Sequence, residues 1–183
     1  MFDLGRFGDI DVSNSICPAD VSRIAIANLH PTNKLYLNKT PDFLEWRFSK
    51  PKTKYVYFYH LSKSGIDAYV ILSSDTHAHV LDYGEEPESL GITKILSFIL
   101  SHTRFSSISI MSMGLPKDLD VFLHKKHFYT FDRIERSRNR ELYNLPILIR
   151  PMKETYNEDD WFIDGVDVRD INNWHITEMC CDE

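Results

Sequence analysis

The feature that most constrains the fold of this chain is a change of hydrophobic period after residue 83. Before it, Tyr55–Leu61 is an aromatic, β-rich run, Asp67–Ser73 alternates and then turns apolar, and His77–Tyr83 reads as a third strand. Ser62-Lys63-Ser64-Gly65 supplies the first turn, with Gly65 free to take φ > 0, and Ser73-Ser74-Asp75 supplies the second. After it, Leu90, Ile92, Ile95, Leu96, Ile99 and Leu100 form a broad stripe at helical spacing through His102. Ser107–Met113 then returns to a strand pattern. Three antiparallel strands in meander order, followed by a helix and another strand, specify an α/β layer fold. The step from His77–Tyr83 to Ser107–Met113 is long enough for a crossover between parallel strands. It sets the helix N-terminus at the carboxyl end of the His77–Tyr83 strand, where such sheets commonly take ligands.

The flanks extend this order. Val21, Ile24, Ala25 and Leu29 share one face of a helix opened by Pro18, with Pro31 just past its end. Thr40-Pro41-Asp42 opens a second short helix, Asp42–Phe48, whose Phe43, Trp46 and Phe48 are expected to anchor on a core. Pro116 starts a helix to Lys126 with Leu119, Phe122 and Leu123 inward. His127–Arg133 and Leu145–Pro151 read as two last strands joined by the basic stretch Arg133–Arg140. Residues 1–17 show no clear periodicity. The expected organisation is an N-terminal segment 1–17, a domain over 18–152 and an acidic, aromatic extension over 153–183 packed on that domain.

Charge decides which partners to expect. The chain of 183 residues is 43% apolar and 26% charged, which excludes a disordered chain. Its net charge of −6 divides unevenly: residues 153–183 hold ten acids against two bases, leaving the first 152 residues slightly positive. A small-molecule substrate is expected, and neither nucleic acid nor a membrane surface as a general partner. The basic stretch Arg133–Arg140 has three readings: a solvated loop, a dock for the acidic extension, or a seat for an anionic ligand. Cys17, Cys180 and Cys181 make no disulfide framework, so a reduced, cytoplasmic protein is expected. No signal peptide is read at Met1, and the apolar stretch Ile92–Leu100 is too short to span a bilayer.

Three stretches carry a family likeness: Phe43-Leu44-Glu45-Trp46-Arg47-Phe48 before a proline and a tyrosine-rich strand; Leu81-Asp82-Tyr83 before Pro87-Glu88; and Trp161-Phe162-x-Asp164-Gly165-x-Asp167. With the element order, the chain resembles the GNAT (N-acetyltransferase-like) superfamily over roughly residues 18–175. It is most similar to the C-terminal half of bacterial GNAT-like proteins, some linked to polysaccharide biosynthesis. The resemblance implies a mixed central sheet with helices on both faces. It implies an acyl-coenzyme A dependent N-acyltransferase acting on a small amine or amino-sugar, with acetyl-CoA or another acyl-CoA as donor. The pantetheine arm would lie where His77–Tyr83 splays from Ser107–Met113, and backbone groups of Tyr83, Gly84, Ser89 and Leu90 would hold the cofactor. The short stretch before Pro18 leaves little room for the family's first strand and first helix. An incomplete N-terminus, a second GNAT-like domain or a homodimer is therefore expected.

The chain departs from the family pattern in three places. The phosphate loop is acidic, Asp82-Tyr83-Gly84-Glu85-Glu86-Pro87-Glu88-Ser89, where the family has a basic, glycine-rich one. Leu123 stands where many members carry a tyrosine, and His127 where a glycine is usual. These departures favour a second reading, a catalytically inactive GNAT-like module that binds a ligand or partner.

The remaining side chains carry a chemical and a plain reading each. His77 and His79 share one strand face and are the candidate catalytic bases, His79 first. The plain reading is a partly exposed structural pair. Two histidines do not make a zinc site, so no metal is expected. Asp82 could orient a histidine, and its plain reading is a cap of the next helix or a turn, a role Ser89 or Glu88 could serve equally well. Tyr55, Tyr57 and Tyr59 share one strand face; half-exposed they could stack on a sugar, and otherwise they cover the sheet. The Asp/Gly pattern of residues 157–167 lacks the spacing of an EF-hand loop.

Overall fold

The computed structural model describes residues 3–27, 35–49, 54–74, 77–111, 115–129, 155, 157–170, 173–177 and 179. Strands β1 (Gly5–Phe7) and β2 (Ile10–Ser13) lead into helix α1 (Pro18–Ala27). The short β3 (Leu35–Tyr36) and α2 (Pro41–Phe48) precede the meander β4 (Tyr55–Ser62), β5 (Gly65–Ser74) and β6 (His77–Glu85). Helix α3 (Gly91–His102), β7 (Ser107–Ile110) and α4 (Lys117–Lys125) follow. A 3-10 turn at Glu158–Trp161 and short strands β8 (Phe162–Ile163), β9 (Val166–Asp167) and β10 (Trp174–His175) end the described chain. The expected strands over 127–133 and 145–151, and the stretch Arg133–Arg140, lie for the most part outside the described residues.

Six strands form one mixed sheet in the order β1-β2-β4-β5-β6-β7, antiparallel throughout except for the parallel β6–β7 pair. The crossover expected between His77–Tyr83 and Ser107–Met113 is therefore present. Residues before Pro18 correct an expectation. They form a hairpin whose second strand pairs with β4, Val12 lying opposite Phe58. The signal is short, with Ile10 and Val12 alternating inward and Gly8 turning at φ 66°.

Strand alternation divides the core in two. Val56, Phe58, Val70, Leu72, Ala78 and Val80 face α3 and α4, meeting Ile92, Ile95, Leu96, Ile99, Leu119 and Leu123. Tyr57, Tyr59, Tyr69, Ile71 and Leu81 face the other way, against Val21 and Ile24 of α1 and Leu44 and Phe48 of α2. Helices cover both faces, which is why β4 reads as a nearly continuous apolar run. Tyr57 and Tyr59 are buried there, not half-exposed, so these two cover the sheet, while Tyr55 at the start of the strand is half-buried. Among the described residues, no helix is long and apolar enough to cross a membrane.

Two bulges break the meander. His60 pairs with Ala68 and Leu61 with Ile66, so Asp67 is an extra residue on β5. Ile71 pairs with Asp82 and Leu72 with Val80, so Leu81 is an extra residue on β6. A bulge re-aims side chains and leaves its extra residue out of the ladder. Both fall beside the candidate site.

Candidate functional site

At the carboxyl end of β6 the sheet carries one polar network on each face. On the α3 face, the bulged Asp67 places Oδ1 2.5 Å from His60 Nδ1, and its Oδ2 accepts from Ser89 Oγ at 3.2 Å. His60 Nε2 lies 3.1 Å from Asp9 Oδ2 and 2.9 Å from Lys94 Nζ. The first amides of α3 belong to the same network. Gly91 N donates to Ser89 Oγ and Ile92 N donates to Glu85 Oε2, each at 3.0 Å. Side chains of this chain thus satisfy donors that a helix start leaves unpaired. Burial pushes the Glu85 carboxyl up; the Ile92 amide pulls it down, and the Asp67 charge adds to the rise. The helix can start here because position 91 is glycine. A Cβ there would come 2.3 Å from Ala68 Cβ.

On the opposite face, Asp82 is fully buried. Lys39 Nζ lies 2.7 Å from its Oδ1, Thr177 Oγ1 donates to the same oxygen at 3.0 Å, and Tyr69 Oη donates to Oδ2 at 2.9 Å. Asp82 therefore does not cap a turn or helix, against expectation; β6 continues to Glu85, and Asp82 is a core ion-pair partner. A buried carboxylate needs a countercharge and satisfied lone pairs, and this site supplies both. The neighbouring Tyr83 is buried in the α3-side core, and its Oη has no hydrogen-bond partner among the described residues. Burial pushes the Tyr83 phenol up, with Asp82 and Tyr36 adding to the shift.

The candidate residues divide between these places and the sheet surface. His77 and His79 share an exposed face of β6. His77 Nδ1 lies 2.6 Å from Ser107 Oγ, and His79 Nδ1 lies 2.9 Å from Ser109 Oγ. Tyr83 and Gly84 lie within β6 opposite Val70 and Tyr69, whereas a loop was expected there. Ser89 Oγ accepts from Gly91 N, but the N-cap position of α3 is Leu90, which makes no side-chain cap bond. Leu123 is buried in the α3-side core. His127 has φ 61°, the left-handed conformation that explains why a glycine suits this position. Among the described residues no group of three or more His, Cys, Asp or Glu is placed to hold a metal.

Sequence reading missed His60, Asp67, Lys39 and Thr177. Asp67 carried a usable signal, an acid two residues after Gly65 inside a strand pattern, which marks a bulge. Lys39 and Thr177 carried none, because both lie in short irregular stretches and meet Asp82 only through the fold.

An acyl-coenzyme A would make two demands here. An extended amide arm needs a free strand edge. The described β6–β7 pairing spans His77–Val80 and Ser107–Ile110, so Leu81–Gly84 has no ladder partner on that side among the described residues. The pyrophosphate demand is not met. Glu85 and Ser89 already accept from the α3 amides, and Asp67 lies behind them. An anion seated there would face carboxylates.

No protein-family model matches the chain, and no curated protein matches it in sequence. Among solved structures, it is similar to a ribosomal-protein-S5-alanine acetyltransferase from Vibrio fischeri. The two share 16% identity at a TM-score of 0.43, over 68% of this chain and 81% of that one. A likeness that loose transfers neither residue roles nor activity.

Proposed function

We propose that this chain is a GNAT-type acyltransferase that moves an acyl group from a coenzyme A thioester to the amine of a small molecule or amino-sugar. The observation that carries the reading is the bulge at Leu81, set where the described β6–β7 pairing ends. Backbone donors released at a bulge suit an oxygen that gains negative charge during acyl transfer. His79 lies two residues before the bulge, with Nδ1 at Ser109, and its Nε2 is the proposed acceptor of the amine's proton. His77, beside Ser107, is the alternative base. As the new C–N bond forms and the C–S bond breaks, the released thiolate takes a proton from solvent.

One observation favours the second reading, a catalytically inactive ligand- or partner-binding module: Glu85 accepts from the Ile92 amide of α3. Calorimetry with acetyl-CoA separates the two. Glu85→Gln removes the opposing charge and is expected to tighten binding at least about tenfold. No heat from either protein at millimolar ligand overturns the acyltransferase reading and leaves the module. Where binding is seen, His79→Ala should lower kcat with little change in KM; unchanged turnover removes His79 from the base role.

A further inference from the structure

The described residues at 173–177 and 179 return to the body of the fold at one place, the carboxyl end of β6. Strand β10 pairs in parallel with β3, Trp174 opposite Leu35 and His175 opposite Tyr36. The His175 ring lies 5.1 Å from the ring of Tyr36 and, edge-on, 5.9 Å from that of Tyr83. Thr177 donates to Asp82, and Met179 is buried between α2 and β4, its carbonyl oxygen accepting from Arg47 Nε at 3.3 Å. These contacts cover Asp82 and Tyr83, immediately after the Leu81 bulge.

Two details separate this cover from a permanent part of the core. First, it meets Tyr83 with the edge-on ring of His175. The phenol oxygen beneath has no hydrogen-bond partner among the described residues, an arrangement that a ligand with a polar group would improve. Second, Asp82 does not depend on it. Without Thr177, the carboxylate still has Lys39 on one oxygen and Tyr69 on the other, so lifting the segment leaves no unpaired charge. Among the described residues its strand pairing is two residues long, whereas β5 is paired on both sides from Ala68 to Ser73.

We infer that Trp174–Thr177 together with Met179 act as an autoinhibitory strap. It closes the carboxyl end of β6 over Tyr83 and lifts to admit the polar end of an acyl thioester beside the bulge. The inference rests on the acyltransferase reading for its ligand, but not for the motion.

The test is a reversible lock. Tyr36→Cys with His175→Cys joins register partners of the β3–β10 pair, in a background of Cys17→Ser, Cys180→Ser and Cys181→Ser. Acetyl-CoA binding is measured by calorimetry with the lock oxidised and reduced. Thr177→Val, which removes one tether and keeps the side-chain shape, is measured beside it. Binding at least about tenfold tighter in the reduced lock, with Thr177→Val also tighter than the parent chain, supports the strap. Equal affinity in both lock states overturns it. If no protein binds, the acyltransferase reading fails and hydrogen exchange on the parent chain decides the strap alone. Amides of His175 and Thr177 exchanging at least about tenfold faster than those of Val70 and Ile71 support a segment that opens by itself. Exchange at the same rate as β5 makes it a fixed core element and overturns the inference.

Discussion

Asp82 shows how far one residue's role can depart from its sequence neighbourhood. A carboxylate between Leu81 and Tyr83, just before a glycine and two glutamates, reads as a turn residue. In the fold it is a buried anion shared by Lys39, Tyr69 and Thr177, and Lys39 is itself only 8% exposed. Breaking such a pair from one side strands the other charge away from water. Asp82→Asn is therefore expected to cost about 3–5 kcal/mol in urea unfolding. Lys39→Met with Asp82→Leu, which removes both charges, should recover most of that loss. A double variant as unstable as the single one would show that the two residues contribute through shape and not through charge.

At the scale of the element, α3 is set by its first turn. Its apolar stripe would bury against the sheet from any nearby start, but Gly91 lets the backbone approach Ala68 and His60. Gly91→Ala must push the helix outward, and about 1–3 kcal/mol of destabilisation is expected from overpacking, read as a lower urea midpoint. The same turn carries a pH signature through Glu85. Burial holds its folded-state pKa above the unfolded value, so the protonated form favours the fold. The stability this gives is fully present below the ordinary glutamate range and is lost as pH rises through the raised pKa. Tm measured from acid to neutral pH should show the wild type losing stability relative to Glu85→Gln over that interval. Parallel curves for the two proteins would exclude a titrating Glu85.

For the whole molecule, the placement of charge matters more than its total. Among the described residues Lys39–Asp82 is buried and His60–Asp67 largely so, whereas Arg23 with Asp20 and Glu86 and Arg169 with Glu158 and Asp167 are mostly exposed. Exposed pairs are weak and screened by salt, while buried ones are screened little. Raising NaCl from about 0.05 to about 0.5 M should leave the urea midpoint nearly unchanged. A large fall would mean that the surface pairs act as a network holding the fold together. The net charge of −6 does not describe the candidate site. On the proposed acyltransferase reading, what bears on donor binding there is the pair of carboxylates Glu85 and Asp67 at the start of α3.

The sequence by itself determined the layer order. Periods of two and 3.6 residues are local, and they specified the meander, the crossover helix and the parallel strand after it. They placed His77 and His79 on one face, and the acids of the 82–88 loop next to α3. They did not show the N-terminal hairpin, whose two strands are too short to stand above noise, nor the bulge at Leu81, because one extra residue leaves the average alternation intact. The tertiary structure alone decided the site. It turned Glu85 onto the amides of α3, joined Lys39 and Thr177 to Asp82 across long stretches of chain, and laid the C-terminal strand over Tyr83. Apart from the Glu85 contact, which spans seven residues, each joins residues far apart in sequence. Its energy comes from burial and pairing, which no local pattern encodes.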